Sequence, residues 1–178
     1  MNTSTLASSL ATLALTPPSA ARLALACSVA DAGRRHLAPV PSWVTGYLER
    51  CLMEARLACL PKEQLVEPLL TLHLLTGREA YELEAVSIIN ACYRQLADLW
   101  RGAERLDLKR TSDLVTLTSD LYIVVTCCDY VDDYNPSLVL SAYHRLTSLL
   151  ETSAKALAPS QRAKLAKLSE QLALSEAV

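Results

Sequence analysis

Phenylalanine is absent from this chain of 178 residues, and glycine occurs four times. Hairpins and sheets depend on glycine turns and β-branched runs. Their scarcity, with Leu and Ala as the commonest residues, points to an all-α fold. Four scattered glycines also exclude a glycine-rich phosphate cradle. Neither sign of charge is in large excess, with 17 Lys and Arg against 19 Asp and Glu. The formal net charge is −2, and nothing in that balance draws the chain to nucleic acid or to an anionic membrane. No uncharged run reaches the roughly 18–20 strongly apolar residues that span a bilayer. The N-terminal stretch MNTSTLASSLATLALTPPSA carries no charge before Arg22 and is broken by Pro17-Pro18. It has no basic segment of the kind a secretory signal requires.

The six cysteines lack metal-ligand spacing: there is no CxxC pair and no Cys/His knuckle. Cys51, Cys59, Cys92, Cys127 and Cys128 fall in stretches read as apolar helix, where free Cys packs as a small hydrophobe. Reduced thiols and a cytoplasmic setting are expected, with no bound cofactor.

What is present is a string of amphipathic helices separated by proline. The length fits one domain, expected as a single-domain helical bundle of seven to eight helices. Residues 1–18 read as an arm that need not dock, 19–158 as the bundle core, and 159–178 as a thin, loosely docked helix. Ser42 opens a helix with Val44, Tyr47, Leu48, Cys51, Leu52, Ala55 and Ala58 on one face. Pro61 fits the first turn of the next helix, which carries Leu65, Val66, Leu69, Leu72 and Leu75, and Pro68 falls inside it, where a kink is expected. Gly77 stops it. A long helix near 79–100 is expected to bury Leu83, Val86, Ile89, Tyr93, Leu96 and Trp100. A second, near 112–133, is apolar nearly all round through Leu121–Cys128. Those two are the expected centre of the bundle. Asn135-Pro136 signals a further start, a cap followed by a first-turn proline.

Three constellations bear on function. Asp129, Asp132 and Asp133 form a D-x-x-D-D cluster whose members, on a helix, would share a face and could hold a divalent metal. The cluster resembles the aspartate-rich motif of terpene synthases, without the second metal motif or the larger helical fold of those enzymes. The plainer reading is a helix end leaving the core. Arg101, Arg105 and Lys109 recur every four residues as a basic stripe diluted by Glu104, Asp107 and Asp113. The histidines are isolated, and His73 reads as structural. Tyr81, Trp100, Tyr130 and Tyr134, with Arg101 and Arg105, are of the types that anchor protein interfaces. The tyrosines and Trp100 serve equally as fillers of a core without Phe.

The hydrophobic fraction of 51% and the mean hydropathy of +0.20 are high for a soluble domain. The excess points to a second buried surface, in a homodimer or against a partner. The leading expectation is a non-catalytic helical interaction module: a chaperone, adaptor or inhibitor. One alternative rests on the uncharged Ser/Thr/Ala/Leu N-terminus, which resembles the leader of type III secreted proteins. It implies a secretion chaperone or cargo. The other is a small metal-dependent enzyme built on the three aspartates.

Overall fold

The computed structural model describes residues 22–23, 26–31, 42–101, 111–152, 162–163 and 165–169. The chain is all-α, with helices in a packed arrangement and no strand among the described residues. Five helices have defined bounds: α1 (Ser42–Leu57), α2 (Val66–Thr76), α3 (Glu79–Arg101), α4 (Thr111–Thr126) and α5 (Pro136–Thr152). Short 3₁₀ turns occupy Lys62–Leu65 and Cys128–Tyr130. Residues 26–31, 162–163 and 165–169 are helical as well. No helix among the described residues is long and apolar enough to cross a membrane. The expected arm, 1–18, lies outside the described residues. By contacts the chain divides into two compact units, 1–85 and 86–178.

In the first unit α1 packs against α2. Val44, Leu48, Cys51, Leu52 and Ala55 are buried from α1, and Val66, Leu69 and Leu72 from α2. Spacing of three and four puts each set on one side of its helix. Leu23, Ala26, Cys27, Val29 and Ala30 are buried in the same unit. Pro68 does not kink α2. The helix begins at Val66, so Pro68 sits in its first turn, where backbone N–H groups have no intrahelical acceptor.

Both helices end on a left-handed residue. Gly77, at φ +67°, donates its N–H to the His73 carbonyl and closes α2. At the end of α1 the same place is taken by Cys59, at φ 52°. The Cys59 N–H bonds the Arg56 carbonyl at 3.0 Å and the Leu60 N–H bonds the Ala55 carbonyl at 3.1 Å. That is the paired closure of a Schellman motif, with cysteine in glycine's place. Cys59 is therefore an exposed turn residue and not the small core hydrophobe that the sequence implied. A left-handed backbone costs an L-residue about 1–2 kcal/mol. Cys59→Gly is expected to stabilise the protein by about 1 kcal/mol, and Gly77→Ala to destabilise it by a similar amount. At Gly77 no atom lies within 4 Å of an added Cβ, so the loss there isolates backbone conformation. Urea titration of the two variants checks both signs, and a Cys59→Gly midpoint at or below that of the parent would remove this account of the turn.

In the second unit α4 packs against α5. Asn135 caps α5: its Oδ1 accepts from the Ser137 N–H at 3.0 Å and the Leu138 N–H at 3.3 Å. Ile89, Cys92 and Leu96 of α3 are buried, and so are Leu117, Leu121 and Val124 of α4, and Val139, Ala142 and Leu146 of α5. The long helix expected near 112–133 stops at Thr126, whose hydroxyl donates back to the Tyr122 carbonyl at 2.7 Å. Within Leu121–Cys128 only Leu121 and Val124 are buried, and the turn before them is polar. Thr118, Ser119 and Asp120 are buried, each with a polar or electrostatic partner, while Ile123 and Val125 are half-buried. The buried line of α3 is also displaced. Leu83 is exposed, and Ala85 takes the inward place in its turn.

Candidate functional site

Helix α1 has two apolar sides. One is the core face. The other holds Trp43, Gly46, Arg50, Met53 and Leu57, all exposed. At 100° per residue these five fall within an arc of about 80°, opposite the buried residues. Trp43 is 45% exposed, Met53 54% and Leu57 77%. Leu74 of α2 and Leu83 of α3 add two further exposed apolar side chains. All of the exposed large hydrophobic residues found among the described residues lie within 1–85, and none lies within 86–178. Single exposed leucines need no explanation, but a concentration on one helix face does.

Polar contacts border this stripe. Glu49 Oε1 accepts from the Tyr81 hydroxyl at 2.7 Å and pairs with Arg78 Nη1 at 3.0 Å. Arg56 pairs with Glu84. Together these contacts fasten the outer edge of α1 to the start of α3. His73 joins the same end of the unit, with Nδ1 3.2 Å from the Arg78 carbonyl and Nε2 3.6 Å from Glu82. On the other flank of the stripe α1 meets a largely buried guanidinium: Arg22 Nη1 lies 2.8 Å from Glu54 Oε2. Tyr47 and Cys51 flank that pair. Burial pushes the Tyr47 phenol and the Cys51 thiol up, and the adjacent guanidinium opposes the shift in both. Burial also holds the Cys27 thiol far above its ordinary value, with Glu67 and Cys51 adding to the effect. These thiols stay protonated and unreactive at neutral pH.

The residues chosen from sequence occupy other places. Tyr81 is half-buried, and its hydroxyl is spent on Glu49. Burial and Glu49 push its phenol up. Tyr130 and Tyr134 are half-buried in the second unit, where Tyr134 stacks at a tilt on Tyr93 with ring centroids 6.2 Å apart. Burial pushes the Tyr134 phenol up as well. Arg105 and Lys109 lie outside the described residues, as do the side chains of Trp100 and Arg101.

The aspartate cluster is not on a helix face. Asp129 sits in the 3₁₀ turn, and Asp132 and Asp133 are exposed on the turn that follows. Asp133 is left-handed at φ 53°. Residues of α3 hold this turn by its backbone. Asn90 Nδ2 donates to the Tyr130 carbonyl at 3.1 Å, and Asn90 Oδ1 accepts from the Asp132 N–H at 3.0 Å. The Tyr93 hydroxyl donates to the Asp133 carbonyl at 3.3 Å and accepts from the Asn135 N–H at 3.0 Å. Among the described residues no group of three or more His, Cys, Asp or Glu side chains is placed to hold a metal ion.

The outer face of α1 is masked in the sequence by the stronger period of its core face. The signal was there: Trp43, Met53 and Leu57 share a period of their own, opposite to Leu48 and Leu52. Comparison with protein-family models, curated proteins and solved structures finds no match, so similarity assigns no family to this chain.

Proposed function

We propose that this protein is a non-catalytic helical interaction module that binds a partner protein through the outer face of α1. The observation that carries the reading is the exposed run of Trp43, Met53 and Leu57 on a helix whose opposite side is packed. Trp, Met and Arg are among the side chains enriched in protein interfaces, and all three occur on this face, with Arg50 at its centre. The polar contacts beside it hold α1 in place, so the face is offered on a fixed helix and binding requires little ordering.

Met53→Asp tests the reading. At 54% exposure the change leaves the core untouched, and the thermal midpoint should stay within a degree or two. A protein that co-purifies with the wild-type chain from its native cell is identified by mass spectrometry, purified, and titrated calorimetrically against both forms. The aspartate, desolvated against an apolar partner, should weaken binding at least about tenfold. Equal affinity of the two forms removes α1 from the interface.

A further inference from the structure

We infer that the occupant of the α1 face is an acidic amphipathic helix of another protein, with a carboxylate set among its apolar residues to meet Arg50. This rests on the reading of the α1 face as the contact surface.

The argument begins with charge. Helix α1 carries four charged side chains: Glu49, Arg50, Glu54 and Arg56. Three have partners within the first unit: Glu49 with Arg78, Glu54 with Arg22, and Arg56 with Glu84. Arg50 is exposed, stands on the apolar stripe, and has no partner among the described residues. The acids of α1 are thus neutralised internally, and what faces outward is one cation with Trp43 and Leu57 seven residues away on either side. A guanidinium in such surroundings selects a carboxylate, which it can meet through two parallel hydrogen bonds.

Shape narrows the occupant further. From Trp43 to Leu57 the stripe runs about 21 Å, four helical turns. Near its start Gly46 adds no side chain and has open space beyond it. A partner helix of about four turns, laid along the stripe, can approach closely there and place its own apolar residues between Trp43, Met53 and Leu57.

The same charge disfavours two other occupants. Arg50 is the midpoint of the stripe. A second copy of this chain paired face to face about that midpoint sets one Arg50 against the other, a like-charge contact in a desolvated place. Attachment to anionic lipid takes a cluster of several basic residues, and this stripe has one.

The test uses the full chain and two fluorescently labelled helical peptides of sixteen residues. They share one leucine stripe and differ at its central position, Glu in one and Lys in the other. Anisotropy titration should show the Glu peptide binding about tenfold more tightly than the Lys peptide, the equivalent of one charge-assisted pair. Arg50→Glu should reverse that order, with an unchanged circular-dichroism melt. Binding of neither peptide, or equal binding of both, overturns the inference. If the two bind equally and Met53→Asp abolishes both, the α1 face stands and only the acidic partner falls. If Met53→Asp leaves peptide binding unaltered, the face falls too. A dimer in sedimentation that Met53→Asp dissociates would give the stripe to a second copy. Phosphatidylglycerol vesicles that bind wild type but not Arg50→Glu would give it to lipid. Each of these last two results overturns the inference.

Discussion

Replacing Glu54 by Ala is expected to cost the first unit about 2–3 kcal/mol, one of the two largest losses anticipated for a single change in this protein. Arg22 is 9% exposed, and its Nη1 is 2.8 Å from Glu54 Oε2. A guanidinium cannot shed its proton to escape such a site. Without Glu54 it stays charged and desolvated, and loses the carboxylate that balances it, while its contact with Tyr47 remains. The expected figure is below that for a fully buried pair because the Glu54 side chain keeps 28% of its surface in water. The double replacement Arg22→Met with Glu54→Met removes the charge together with its partner. It should recover most of the loss, since a buried pair and a well-packed apolar pair are often close in free energy. Urea unfolding followed by circular dichroism reads all three forms. A Glu54→Ala midpoint equal to the parent's would show that Arg22 finds water or another acceptor at no cost.

The other large effect belongs to Asn90, which is 8% exposed on α3. Its carboxamide donates to the Val86 and Tyr130 carbonyls and accepts from the Asp132 N–H. Leucine has a similar volume and none of these bonds. Asn90→Leu leaves the Tyr130 carbonyl and the Asp132 N–H to find other partners, and the cost should be about 2 kcal/mol. The damage should be local as well as global. Amide hydrogen exchange at Asp132 should accelerate more than exchange within α5, because the bond to Asn90 is what protects that amide. Unchanged exchange at Asp132 would mean that Asn90 does not hold the turn.

These two groups also mark where sequence reasoning stops. Helix positions were legible wherever apolar spacing and a cap coincided: α1 from Val44, Leu48, Cys51 and Leu52, and α5 from Asn135-Pro136. The Thr76-Gly77 stop was legible because a left-handed closure favours glycine. The matching closure at Cys59 was not, because cysteine gives no such cue and the hydrogen-bond pattern alone defines it. The end of α4 was missed for a similar reason. Ile123, Val124 and Val125 continue the apolar pattern, while the halt comes at Thr126 and the turn beyond it is shaped from α3. Carried back from Ile89, spacing of three puts Leu83 inward, yet the helix buries Ala85 and leaves Leu83 in water. The candidate surface is hidden by the stronger core period: Leu48 and Leu52 account for α1 and leave Trp43 and Met53 as remainder.

The grip of α3 on residues 130–135 has one more consequence. What Asn90 and Tyr93 hold there are two carbonyls and two amide N–H groups. Side-chain chemistry at positions 129 and 132 is outside that grip, so the acidic spelling of this corner is close to arbitrary. Alanine, serine or lysine should serve at 132 about as well as aspartate, and only proline, which lacks the N–H, is barred. Position 133 is narrower, since its backbone turn admits glycine, asparagine or aspartate most readily. Related chains that differ throughout this corner could still share its shape.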